Sequence, residues 1–445
     1  MAEQIQAAPP KPFDFKKILA LLGLLAVLGV VFLVVSKGNF ELLGTKKPAG
    51  GEVVLEYWGL FEPESIFAGV IEAYEEDHPT VTINYTQKTF TDLDQYKTTL
   101  EIRSQQGTGP DIFRLHASWV PELTNIITPA PKEIMTAGQF RDIFYPVAYD
   151  NLVFNDSIYA IPLMYDGLAL FYDPVRFEAA NLDPPETWEQ FREAAVLLTE
   201  KDAVAKKIIR SGAALGVGSN VAHASDIFGL MLAQNGVAYP DDLDTKKAED
   251  VLTYYALYNT TDKVWDASFP NSLQAFANGQ TAMILAPSWR SFDILSYNPR
   301  LNFEVAPVPQ IPMLEERYGR VGWASFWAES VSSKSAHPQE AWEFIKYLSS
   351  KEVQQKLYAA EAVLRPFGEF YSRRDLKEAL MGDSRARAFI LDADVAVMWP
   401  IVDNAGQAEN VAAVVTALDS LQKNISESSA AKTLKAKLTG VPLEE

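Results

Sequence analysis

The chain has 445 residues, 48% of them hydrophobic and 11% aromatic, with a net charge of −19 and no cysteine. Length alone calls for two lobes, because a single core rarely grows beyond about 250–300 residues. The aromatic content excludes a disordered bulk; the acidity argues against binding DNA, RNA or anionic lipid through the surface; the missing cysteine excludes disulfides, thiolate metal sites, a catalytic thiol and an acylated N-terminal cysteine.

Ile18 to Val35 is a run of 18 residues without a charge, close to the roughly 20 that cross a bilayer as a helix. Signal-peptide cores are shorter, about 7–15 residues, and end in a small-x-small cleavage site. This run ends Val34-Val35-Ser36-Lys37 and has no such site. Residues 16–36 are therefore read as an uncleaved transmembrane signal-anchor, with a cleaved signal peptide as the alternative. Lys16-Lys17 abut the run, which favours a cytoplasmic stub over residues 1–15 and an extracellular body. Residues 37–51 read as a linker.

The body begins with a buried strand at Val53–Trp58. A helix starts at Pro63, with Ile66, Phe67, Val70, Ile71 and Tyr74 on one face. Val81–Tyr85 alternates as a second strand. Leu93 to Gln106 is a helix that stops at Gly107-Thr108-Gly109-Pro110, and Asp111-Ile112-Phe113 begins a third strand. This β-α-β-α-β order predicts a parallel sheet with helices on both faces. Further on, Thr187-Trp188-Glu189-Gln190 is a capping box, Ala224 to Asn235 is a helix stopped by Gly236, and Pro338 opens another. Two helices over about 404–421 and 426–438 close the chain. Extended, Pro-bearing stretches at Tyr159–Pro162, Val305–Pro309 and Arg365-Pro366 are the expected crossings between two discontinuous lobes. The lobes are 52–160 plus 306–360, and 161–305 plus 361–445.

Aromatic residues carry the strongest chemical suggestion. Trp58, Trp119, Tyr165, Trp289, Trp323, Phe326, Trp327 and Trp399 fall at expected strand ends or loops, where open α/β sheets bind ligands. A sugar packs its C–H face on aromatic rings and offers its hydroxyls to carboxylates and amides. The competing reading is that each tryptophan simply fills the core. His78, His116, His223 and His337 have no partner at helical spacing, so no metal is expected, and no cofactor. Asp241-Asp242-x-Asp244 lacks the glycine and the terminal glutamate of a calcium loop. Gly216-Val217-Gly218-Ser219-Asn220 lacks the lysine of a phosphate loop.

Four segments, in order and spacing, resemble one family: Gly109-Pro110-Asp111-Ile112-Phe113; Tyr159-Ala160-Ile161-Pro162 through Leu170-Phe171-Tyr172-Asp173 and on to Pro184-Pro185-Glu186-Thr187-Trp188; Phe276-x-x-Gly279-Gln280-x-Ala282-Met283 with Trp289; and Ala341-Trp342-Glu343-Phe344-Ile345 with Ser349-Ser350-Lys351-Glu352-x-Gln354. The chain resembles the family-1 extracellular solute-binding proteins of ABC transporters, the group that includes maltose-binding protein, over about residues 52–425. The resemblance implies a type II periplasmic-binding-protein-like fold: two α/β lobes joined by crossing strands with the solute between them. It places Asp166 on a sugar-binding acid, Tyr172 on a cleft tyrosine, Trp289 on a stacking tryptophan, and Ser118 and Trp119 on a polar pair. The charged residues of that last pair are absent here, which speaks against maltodextrin itself.

The expected function is capture of a small organic solute, a sugar or oligosaccharide, by a monomeric, membrane-tethered binding protein that hands it to an ABC permease. No chemistry is expected. A carbohydrate-cleaving enzyme using a carboxylate pair such as Glu62 and Asp166 is the enzymatic rival; no pattern supports it. A sensor signalling through the membrane helix has too short a cytoplasmic stub. Arg114, Arg290 and Arg365 leave open a glycerol-phosphate-like or acidic solute, or else are structural ion pairs.

Overall fold

In a computed structural model the described residues are 52–205, 207–312 and 319–441. The expected membrane span at 18–35 lies outside them. Among the described residues no helix is long and apolar enough to cross a membrane.

The opening of the body folds as the pattern dictates. Strands Val53–Gly59, Val81–Gln87 and Ile112–His116 lie parallel, with Val53–Gly59 in the middle. Helices Glu64–Asp77 and Leu93–Gln106 connect them. The first buries Ile66, Phe67, Val70, Ile71 and Tyr74. The second is capped by Asp92, whose carboxylate accepts from the Gln95 N–H at 2.7 Å. It ends at Gly107, whose φ of 69° suits a residue without Cβ.

The sheet then recruits strands from far along the chain. Its order is Val81–Gln87, Val53–Gly59, Ile112–His116, Trp327–Val331, Ile161–Pro162, and the last two join antiparallel. A second, three-stranded sheet is antiparallel throughout, with Leu168–Tyr172 between Met283–Pro287 and Glu304–Ala306. Helix Ser384–Ile390 packs on this second sheet, and helix Lys351–Glu361 packs on Glu64–Asp77 beside the first.

The chain therefore passes between the two sheets three times, after Pro162, after Ala306 and after Glu361. Short pairings tie these passages together. Met164–Tyr165 pairs with Phe370–Tyr371, and Gly322–Trp323 runs parallel to Ala396–Val397. Later helices also follow their local signals. Thr187 and Gln190 form the reciprocal capping box. Helix Ala224–Gln234 stops before Gly236, whose φ is +66°. The closing helices are Ala408–Ser420 and Glu427–Thr439.

The unit that begins at Glu52 is compact on its own. A fragment from Glu52 to Val441 is expected to stay soluble and melt in a cooperative transition, because its core is self-contained. Circular dichroism through a thermal ramp checks this; a broad, uncooperative loss of signal would count against the boundary.

Candidate functional site

Where the passages meet, a cavity of about 400 Å³ opens. Its walls come from strand ends of both sheets. Phe61 follows the first strand, His116 ends the third, and Trp327 begins the antiparallel strand beside it. From the second sheet come Leu168 and the Pro287–Ser291 turn, and from the third passage Phe367 to Phe370. This is the carboxyl-end position at which open α/β sheets hold ligands.

Of the residues expected at the site, Tyr165, Asp166, Trp289, Trp323, Phe326 and Trp327 line this cavity. Trp289 is 36% exposed, so it is not core packing. One face of its indole carries the Arg290 guanidinium at 3.9 Å, and its edge meets the His223 ring. Trp327 is braced edge-on by Phe61, His116 and Trp119. Trp323 and Phe326 are almost wholly buried and form the floor.

Trp58, Glu62, Ser118, Trp119, Tyr172 and Trp399 lie outside the cavity wall, each for a definite reason. Trp58 packs under the Lys88 ammonium at 4.3 Å. Trp119 is fully buried and donates its indole N–H to the Ala405 carbonyl at 2.6 Å, so it supports Trp327 from behind. Ser118 is occupied by His116 Nδ1 at 2.8 Å. Tyr172 sits at the far end of its strand, opposite Met283 and Glu304, whereas the cavity meets the Leu168 end. Trp399 fills the notch over Gly229, where a Cβ would lie 2.4 Å from its ring.

Glu62 belongs to a buried ionic cluster. It pairs with Arg114, and with Arg365 at 3.3 Å. Arg365 also pairs with Glu361 at 3.1 Å and with Glu369. Burial pushes the Glu62 carboxyl up, but Arg114 and Arg365 more than offset this and hold it below its ordinary range. Of the three arginines, only Arg365 reaches the cavity wall, and its guanidinium is shared among those carboxylates. Arg290 donates to His223 Nε2 at 2.8 Å and pairs with Asp293 at 2.7 Å.

Histidines and carboxylates complete the polar lining. The Ser118 N–H donates to His116 Nδ1 at 3.2 Å, so Nε2 carries the proton toward Ser325 Oγ at 3.1 Å. Burial pushes this imidazole down to about 3, and it is neutral. His223 accepts from Arg290, so its Nδ1–H donates to Asp226 at 2.6 Å. Asp226 in turn accepts the Asp403 N–H at 3.2 Å, and Asp403 accepts the His223 N–H at 2.9 Å. Considering the histidines only as metal ligands hides this relay, because its members come from three separate stretches of chain.

Asp166 accepts from Gly167 N–H at 2.7 Å, Ser288 N–H at 3.2 Å and Ser288 Oγ–H at 2.9 Å. Burial pushes its carboxyl up to about 6 in spite of these donors. That raised value costs stability. Between about 4 and 6 the folded state holds a proton that the unfolded chain has lost, so stability falls as pH rises through this window. Asn at 166 keeps all three contacts, since its amide can donate to Ser288 Oγ. Asp166→Asn is therefore expected to match wild type at pH 3.5 and to exceed it by about 1–2 kcal/mol at pH 8. The shift alone would give about 3 kcal/mol, reduced because water reaches the half-buried group. Urea unfolding at both pH values reads the difference; a variant less stable at pH 8 contradicts it.

The fold is an α/β architecture with an aromatic-walled cavity between two sheets. The model of the bacterial extracellular solute-binding proteins matches residues 58–355, and the chain belongs to this family. The family is one of binding proteins, not enzymes. The multiple sugar-binding protein of Streptococcus mutans is 23% identical over 365 residues, covering 77% of this chain and 81% of that one. In fold the chain is similar to a cyclo/maltodextrin-binding protein complexed with maltotetraose, with TM-score 0.70 and 16% identity over 88% of this chain and 98% of that one. It is likewise similar to a sugar-binding protein from the phytopathogen Xanthomonas citri, with TM-score 0.68 and 18% identity over 87% and 97% of the two chains. The fold is thus the two-lobed α/β architecture of maltose-binding-like proteins.

Proposed function

We propose that the chain captures a sugar or oligosaccharide in the cavity between its lobes and delivers it to the permease of an ABC importer. The observation that carries this reading is the cavity of about 400 Å³ with Trp289 half-exposed in its wall and Asp166 beside it. Flat aromatic faces suit a sugar's C–H surface, and the carboxylates suit its hydroxyls. The names of the relatives, a multiple sugar-binding protein and a maltotriose-binding protein among them, support the same class of solute.

The lobes we assign are 52–160 plus 306–360 and 161–305 plus 361–445; the sheets support this division to within two residues, since Ile161–Pro162 still pairs in the first sheet and Ala306 in the second. Solute docks on one lobe, and closure about the passages brings the other onto it. Residues 16–36 tether the body to the cell membrane, with the binding unit outside; this rests on the uncharged 18-residue run of the sequence. The body works as a monomer. An acidic solute is disfavoured because Arg114, Arg290 and Arg365 are each engaged by carboxylates.

A thermal-shift panel of di- and trisaccharides tests the reading. At a free concentration about 100 times Kd the ligand adds about 2.7 kcal/mol to stability. At least one sugar should raise the melting temperature in a concentration-dependent way; a panel in which none does would overturn the assignment.

A further inference from the structure

We infer that the solute carries a protonated amine, so that the cavity selects an amino sugar over its neutral parent and rejects the corresponding uronate. The inference rests on the sugar-binding reading and adds the charge of the ligand to it.

Besides Glu369, which pairs with Arg365, three carboxylates line the cavity, Asp166, Asp226 and Asp403. Every contact made by these carboxylates is with a neutral donor. Asp166 is held by Gly167 and Ser288. Asp226 is held by the His223 ring and the Asp403 N–H, and Asp403 by the His223 N–H. No described lysine or arginine lies within ion-pairing distance of any of the three, Asp226 having His223 alone. The His223 ring is uncharged, since its Nε2 accepts from Arg290.

The nearby cations do not cancel this charge. Arg365, the arginine in the wall, is matched by Glu62, Glu361 and Glu369, and Arg290 behind Trp289 is matched by Asp293. The cavity is left with an excess of negative charge between low-dielectric walls, where field lines concentrate and a cation is drawn in.

Two further observations point to a ligand group here. The Ser291 hydroxyl, in a side chain only 1% exposed, lines the cavity without a hydrogen-bond partner. A ligand group reaching this wall would give that hydroxyl a partner. The rings of Phe61 and Trp327 line the same cavity, and aromatic faces attract ammonium groups; the Phe292 ring beside them already carries the Arg365 guanidinium at 5.8 Å. Burial holds the Asp166 and Asp226 carboxyls up at about 6, as expected of acids that lack a cationic partner. A ligand ammonium supplies that partner.

Calorimetry on the full chain at pH 7 and low salt tests the inference. The probes are maltose, cellobiose, the β-1,4-linked glucosamine disaccharide, a matching uronate disaccharide, and spermidine as an amine without a sugar. The glucosamine disaccharide should bind at least about tenfold tighter than cellobiose, a difference of about 1.4 kcal/mol, and the uronate should not bind. Asp403→Asn, whose amide oxygen can still accept the His223 N–H, should reduce that advantage to under about threefold while the melting temperature of the ligand-free protein holds. Neutral sugar binding as tightly as the amine would overturn the inference and leave the sugar reading standing. Spermidine binding with no sugar of any kind would overturn the sugar reading and keep the charge. Binding by none of the probes would overturn both.

Discussion

Arg114→Met is expected to cost about 3–5 kcal/mol of stability, the usual result of removing one partner of a buried ion pair. Arg114 is fully buried in the middle of strand Ile112–His116, directly across from Glu329 on the neighbouring antiparallel strand. Its Nε and Nη2 donate to Glu329 Oε1 at 2.9 and 2.7 Å, and Nη1 reaches Glu62. The Tyr57 hydroxyl donates to that same Glu329 oxygen at 2.6 Å. Methionine fills a similar volume, so the loss is of charge rather than of packing. Glu329 would be left with the tyrosine alone, its other oxygen already without a partner. Glu62 would keep only Arg365 as a cationic partner. Guanidinium chloride unfolding gives the magnitude. Adding Glu329→Gln to the variant should recover part of it, because the stranded charge disappears. A loss under about 1 kcal/mol would mean that the cluster is neutralised by protons rather than by Arg114.

The same cluster marks where the sequence stops being legible. The opening β-α-β-α-β run, the Asp92 and Thr187 caps and the stops at Gly107 and Gly236 are local signals. Periodicity and turn chemistry place them within a few residues. Glu62, Arg114, Glu329 and Arg365 are joined only by the fold; the bond from Arg114 to Glu329 spans 215 positions. Nothing near Arg114 in sequence distinguishes a structural ion pair from an anion ligand.

Aromatic residues divide in the same way. A tryptophan at a strand end reads alike whether it faces a cavity or a distant loop. Trp119 is capped by Ala405, 286 positions away, and Trp399 by the helix that carries Gly229. Family resemblance alone points to Tyr172, and resemblance marks the strand without saying which end the cavity occupies. Trp289 fares better because it adjoins a turn that the sequence itself marks, Pro287-Ser288, while Asp166 is reached only through the resemblance, within an extended run. Of the His223–Asp226–Asp403 relay only the His223–Asp226 pair is local, at a spacing of three; the bond to Asp403 spans 180 positions and leaves no trace in the pattern.

Trp289→Ala is expected to weaken solute binding by about 2–4 kcal/mol, the range for an aromatic hot spot, with little change in folding stability. The stability half follows from exposure. At 36% accessible, the indole is far from the buried class in which truncation opens a cavity. The binding half follows from how the ring is held. It leaves strand Met283–Pro287 through the short Ser288–Arg290 turn, with the Arg290 guanidinium against one face. Arg290 is itself fixed by His223 and Asp293, so the ring is set before solute arrives. A pre-set platform does not lose rotamer freedom on binding, and so more of the stacking energy reaches the measured affinity. Arg290→Ala should therefore lose a smaller share of affinity by freeing the ring, while Trp289→Phe should retain most of it. Calorimetry on the three variants with whichever sugar raises the melting temperature most provides the comparison. If Trp289→Ala binds like wild type and melts several degrees lower, the indole is packing, and Trp327 becomes the stacking residue.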